Sequence, residues 1–279
     1  MKHLSKIAFA IILSLTLFAC SEENSSIRKN DSELLSLNEF KKLAQDHNKA
    51  MDYVLNGLKN NDVSFNKNKA NIDDLINSEL NSFYSITYKT GKEIAVEYSE
   101  KEVERFFYDK RMTERSSSNS VPPIQAVIEE YSDNLSDEVI ELLNEVEISL
   151  NNAPNDFGAT INQLNLIEET AQNELSEIDA QIILASAEIG KASLEYWRDN
   201  IDDWQQVLSS ESNRSGRGWF SWSDVAGADV AGAVGGAVGA AIVNVVPGAG
   251  QVGYAGAIIG GAAGGSAASA VSQIWDHFF

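Results

Sequence analysis

Apolar residues recur at helical spacing along most of this chain. Between Leu34 and Leu58 they fall at Leu37, Phe40, Leu43, Met51, Val54, Leu55 and Leu58, the three- and four-residue steps that line one face of a helix. A second helix is predicted over 72–83. The period then changes. Tyr84, Ile86 and Tyr88 alternate, Thr90-Gly91 can turn, and Ile94, Val96 and Tyr98 alternate again, a pattern that allows a small β-hairpin over 84–98 unless the neighbouring helices override it. Ser99 and Glu102 have the spacing of a capping box for a helix carrying Phe106 and Phe107. The stretch SSSNSVPP at 116–123 cannot continue a helix and separates an N-terminal helical region, 34–115, from a second one, 124–210. In the second region Ser136 can cap a helix bearing Val139, Ile140, Leu143, Val146 and Leu150. Residues 154–156 start another through Ile161, Leu164, Ile167 and Ala171. The strongest pattern is Leu175, Ile178, Ile182, Ala185, Ile189, Ala192 and Tyr196, a heptad seam that Ser176 and Asp179 can open. Leu194, Trp197 and Trp204 widen its apolar face, which favours a packed bundle helix over an intermolecular coiled coil.

The last region, 211–279, has another character. Between Asp229 and Asp276 there is no charged residue, and glycine and alanine dominate. Gly227, Ala231, Gly235 and Gly239 fall every fourth residue, as do Gly232, Gly236 and Ala240. Beyond Pro247-Gly248 the spacing resumes in two rows: Gly253, Ala257, Gly261, Gly265 and Ser269, beside Gly256, Gly260, Gly264 and Ala268. Such rows lie along one helix face and let two backbones approach closely. The sequence GAGQVG at 248–253 fits the dinucleotide fingerprint, but no folded strand–helix unit precedes it and the residues after it leave no room for a parallel sheet. A flexible linker would pair glycine with polar residues, not with Ala, Val and Ile. The pattern resembles a glycine-zipper two-helix domain of bacterial envelope proteins and membrane-active peptides, and it predicts a helical hairpin with arms over about 224–245 and 251–275. Each arm would be roughly 33–37 Å long, enough to cross a bilayer core. Trp219, Phe220 and Trp222 at one open end, and Trp275, Phe278 and Phe279 at the other, would form an aromatic interfacial belt. The expected helix-packing residues are Gly227, Gly232, Gly235, Gly236, Gly239, Gly253, Gly256, Gly260, Gly261, Gly264 and Gly265.

At the other end, Lys2 and Lys6 precede an apolar run too short to span a bilayer, the form of a signal peptide over 1–19. Leu17-Phe18-Ala19-Cys20 resembles the lipobox of bacterial lipoproteins, and Cys20 is the only cysteine of the chain. The resemblance implies lipidation at Cys20, a flexible tether over 20–33 and an anchor of acyl chains. Ser21 beside the cysteine is similar to the outer-membrane sorting pattern, and Glu22-Glu23 to a surface-export signal. The implied location is the outer membrane or the cell surface. Ordinary cleavage around Ala19-Cys20-Ser21 would give a secreted protein instead.

Composition narrows the chemistry. A net charge of −20 in 279 residues repels phosphate and makes nucleic acid an unsuitable partner. One cysteine and three scattered histidines assemble no zinc site or Cys-His pair. DNIDDW at 199–204 lacks the glycine and distal glutamate of a calcium loop, and the adjacent pairs Glu129-Glu130 and Glu168-Glu169 diverge on a helix. No cofactor, metal or catalytic residue is predicted. The expectation is a non-enzymatic exported lipoprotein of the bacterial envelope whose hairpin associates with membrane or forms a homo-oligomer, with a hairpin buried against the helical body as the other reading. Two alternatives stand beside it, a bacteriocin-like membrane-active effector and a surface helical binding module.

Overall fold

Ser36 and Glu39 open the first helix with a reciprocal capping box. The Glu39 backbone N–H donates to Ser36 Oγ at 3.4 Å, and Ser36 N–H donates to Glu39 Oε2 at 2.7 Å. The Ser36 N–H bond, with a second from Ser36 Oγ at 2.8 Å, holds the Glu39 carboxyl below its ordinary value. The computed structural model describes residues 34–60, 70–108, 122–208, 220–243 and 250–278. Among them are nine α-helices and no strand: α1 Leu37–Asn60, α2 Ala70–Thr87, α3 Lys92–Tyr108, α4 Pro123–Tyr131, α5 Asp137–Asn152, α6 Phe157–Glu174, α7 Glu177–Leu208, α8 Trp222–Val243 and α9 Gly250–Phe278. A single 3₁₀ turn, Ser132–Asn134, follows α4. The chain is thus mainly α, a helical bundle that includes a Gly/Ala-rich hairpin, and Leu34–Phe279 forms one compact unit.

Where a polar residue was positioned to start a helix, it usually does so. Ser136 Oγ accepts the Val139 N–H at 3.3 Å, and Asp156 Oδ1 accepts the Ala159 N–H at 2.9 Å. Ser176 Oγ accepts the Asp179 N–H at 3.2 Å and donates to the Asp179 carboxylate at 2.9 Å. Pro123 occupies the first turn of α4, where its missing N–H removes no hydrogen bond. The rest of the 116–123 connector, apart from Pro122, lies outside the described residues.

Two expectations are corrected. The 84–98 stretch is not a β-hairpin. Thr90-Gly91 does turn, with Gly91 in the left-handed region at φ 78°, but both arms are helical. The residues that α3 sends inward are Ala95, Ser99, Glu102, Val103, Phe106 and Phe107, a helical set, while Ile94, Val96 and Tyr98 are half-buried flanks. The apparent alternation came from those flanks. For the same reason Ser99 and Glu102 cap nothing: they are buried in the middle of a helix that began at Lys92.

The layering is defined by α7, α8 and α9. The turns of α7 from Gln181 to Gly190 are buried on every side, so the expected seam is only part of its buried surface, and the seam residue Ile178 is exposed. Helix α7 packs against α1, α5, α6 and α8, and more lightly against α9. The α8–α9 hairpin is enclosed in turn: α4, α5 and α7 pack on α8, while α1, α2 and α3 pack on α9. It is the middle of the bundle, not an appendage to it.

Candidate functional site: the enclosed hairpin and its buried polar cluster

The glycine rows meet other backbones. A methyl group at Gly232 would overlap the carbonyl of Gly261, and the converse holds; Gly236 lies against the carbonyl of Ala257, and Gly265 against that of Ala228. These contacts zip α8 to α9 with no side chains between them. The second row of α9 faces elsewhere. Gly256 lies on the Gly91 carbonyl, Gly260 on the Ala95 backbone and Gly264 on the Ser99 backbone. Gly91, Ala95 and Ser99 are themselves spaced by four, so α3 presents its own small-residue row. The sequence reading missed that row, although G-x-x-x-A-x-x-x-S was there to be seen. On the outer side of α8, Gly227 adjoins Pro123, Gly235 faces Val127, Tyr131 and Glu102, and Gly239 meets the Tyr98 ring. Gly253 is buried as well.

At the open end of the hairpin Phe220 is buried, its ring 5.7 Å from that of Trp197. Trp222 and Trp275 are half-buried against the core. Gln273 bridges the two arms, accepting the Ser221 N–H at 2.9 Å and donating to the Ser221 carbonyl at 3.4 Å. In the closed body these aromatics are core and core-edge residues. Phe278 falls in the last turn of α9; Trp219, Phe279 and Cys20 lie outside the described residues. Among the described residues, no helix is long and apolar enough to cross a membrane. With 22 and 29 residues, α8 and α9 are about 33 and 43 Å long, so both are long enough to span and α9 exceeds the expected length. It is the apolarity of their described residues that falls short.

One carboxylate is buried inside the hairpin. Asp229, on α8, is fully inaccessible, and so is His47, on α1. His47 Nε2 lies 3.2 Å from Asp229 Oδ2. Ser266 Oγ, on α9, donates to the same oxygen at 3.0 Å, and Trp197 Nε1, on α7, donates to Ser266 Oγ at 3.1 Å. On the far side of the imidazole, His47 Nδ1 is 2.9 Å from Asn48 Oδ1, and Asn48 Nδ2 donates to the Ala192 carbonyl at 3.2 Å. That last bond turns the amide oxygen towards His47. Both ring nitrogens thus have an oxygen close by, although Nε2 makes no hydrogen bond among the described residues. Asp229 Oδ1 has no hydrogen-bond partner among the described residues.

The residue types Ser, His and Asp suggest hydrolytic chemistry, but their order does not. The carboxylate stands between the hydroxyl and the imidazole, so Ser266 does not face the histidine, and none of the three is accessible to a substrate. What the cluster can do is hold a charge. It joins α1, α7, α8 and α9 at one buried point.

Two further polar groups flank the core. Glu102, buried on α3, has Arg105 Nη1 at 3.6 Å, and burial raises its carboxyl above the ordinary value. Lys191 reaches Asn165 Oδ1 and Glu168 Oε2, both at 2.8 Å, and Glu188 Oε1 at 3.0 Å. Burial pushes Glu168 up to about 7 in spite of the lysine. A depression of about 480 Å³ between α5 and α6 is lined by Ile148, Asn151, Asn152, Gln163 and neighbours. Its hydroxyls are turned inward, Ser149 to the Glu145 carbonyl and Thr160 to the carbonyls of Ser149 and Asp156. No group of three or more His, Cys, Asp or Glu is placed to hold a metal ion among the described residues. No protein-family model, no curated protein and no solved structure matches this chain.

Proposed function

We propose that this chain is a non-enzymatic, lipid-anchored protein of the bacterial envelope whose helical body sheathes a membrane-active glycine-zipper hairpin. The carrying observation is the enclosure itself: α8 and α9 are joined backbone to backbone, and amphipathic helices cover them on the remaining sides. A helix that is apolar all round belongs in a core or in a membrane, and a zipped pair can change between the two environments as a unit. Neither arm is apolar enough to span alone, so on this reading the pair enters lipid together, with the arm-to-arm contact kept. The lipobox-like Cys20 would hold the closed body at the outer membrane or cell surface, beside its target bilayer.

Gly91→Val tests the sheath. The left-handed backbone at Gly91 and the nearby Val252 leave no room for a side chain, so the variant should wedge the α2–α3 cover away from α9. Dye-loaded phospholipid vesicles should leak with this variant far faster than with the wild type. Sealed vesicles in both cases would end the membrane-active reading. Palmitate labelling lost in Cys20→Ala tests the anchor separately.

A further inference from the structure

We propose that His47 is the fastener that keeps the hairpin sheathed, by standing against Asp229 in the closed body and only there. This rests on the sheathed-hairpin reading and supplies its control. Asp229 is the one charged residue among the buried positions described on α8 and α9. Its other close partner, Ser266, belongs to the same hairpin and travels with it, whereas His47 belongs to α1 and stays with the body. The imidazole is fixed from behind, through Asn48, to the α7 backbone at Ala192. The partner of the carboxylate is thus part of the sheath.

The two states treat this carboxylate differently. Inside the body it is fully inaccessible, and a buried carboxylate that loses a close polar partner strongly disfavours the arrangement that buries it. Asp229 lies two turns from Trp222, about 10 Å along the helix axis. In a hairpin whose aromatic end rests at a bilayer surface, it would sit near headgroup level, where water and mobile cations serve it. A group can shift a two-state equilibrium only by interacting differently with the two states. His47 meets that condition, since its contact with Asp229 exists in the closed state alone. The zipper contacts do not meet it, because they persist in both.

Amide hydrogen exchange on the full chain, without vesicles, tests the fastener. His47→Gln should speed exchange in α8 and α9 about tenfold or more, with α5 and α6 held within about twofold. Combining it with Asp229→Asn, which removes the unpaired charge, should return the hairpin to within about threefold of wild type. Unchanged hairpin exchange in His47→Gln would overturn the proposal. So would equal acceleration of α5 and α6, or a double variant as fast as the single one. If His47→Gln does not fold, a folded double variant supports the fastener and an unfolded one defeats it. Vesicle leakage separates the two ideas. A hairpin freed in His47→Gln that leaves vesicles sealed defeats the membrane reading alone. Leakage by Gly91→Val beside unchanged exchange in His47→Gln defeats the fastener alone.

Discussion

The α5–α6 pair and the α8–α9 pair are both pairs of consecutive helices in one bundle, yet their cohesion has different sources. In α5–α6, Val139, Leu143, Val146, Leu150, Leu164 and Ile167 fill the space between helices with branched side chains, and Ser136 and Asp156 cap the helices. In α8–α9 the space has been removed, and the backbones touch at Gly232–Gly261 and Gly236–Ala257. The first pair is stabilised by apolar side-chain volume, which small truncations take away. The second depends on the absence of volume, which any enlargement violates. The two should therefore fail in opposite directions.

The largest effect is expected for Gly261→Leu, whose side chain has no space beside the Gly232 carbonyl; the closed bundle should lose more than about 4 kcal/mol, read as collapse of the urea or thermal transition. A variant with wild-type stability would show that the zipper contact is not close. Leu143→Ala in α5 should cost about 2–5 kcal/mol through the cavity it leaves, with the urea midpoint as the measure. The same small change should then differ in sign between the pairs. Gly261→Ala should destabilise by roughly 1–3 kcal/mol through overpacking. Gly158→Ala, where a methyl would meet only Asp156 Oδ1 at 3.6 Å, should stabilise by up to about 1 kcal/mol. Two destabilising results would remove the contrast. Asp156→Ala should cost about 1 kcal/mol by removing the cap of α6, with no change in hairpin exchange.

The smallest effect concerns pH. Burial raises Glu168 from its ordinary 4.5 to about 7 in the folded chain. Its contribution to stability is therefore complete below about 4.5 and is lost as pH rises through about 7. Glu168→Gln should flatten the fall in melting temperature between pH 4.5 and 7.5. An identical slope in the wild type and the variant would remove this residue from the pH dependence. Because Glu168 joins α6 to α7, the change should leave the hairpin untouched.

Periodicity made most of the fold legible. Helices with large inward residues, such as α1 and α5, stand out because Leu, Val and Phe mark the buried stripe. The hairpin stands out for the opposite reason, an uncharged run in which glycine keeps a four-residue beat. The helix α3 fell between these cases. Its buried stripe begins with Ala95 and Ser99, too small to register as apolar, while the larger Ile94, Val96 and Tyr98 flank it and imitate a strand. What covers the second row of α9 could not be read locally, since α3 lies far away in the sequence. The same distance concealed the pairing of His47 with Asp229. A local hint was present, because a lone carboxylate among Gly, Ala and Val requires a partner wherever its helix is buried. Nothing along the chain said which residue that partner was.

Because the middle of the bundle is also the last of its described helices in chain order, a ribosome delivers the wrapping before its contents. Through most of synthesis α1 to α7 have no hairpin to close on, and the faces that will cover α8 and α9 stay open. Folding to the closed body must then be a late, concerted event rather than growth from the first helix onward. Chains interrupted before Ser221 would be shells without a centre, prone to stick to one another and easily proteolysed. Under the export proposed for this chain, a body that cannot close early would remain loose enough to be threaded.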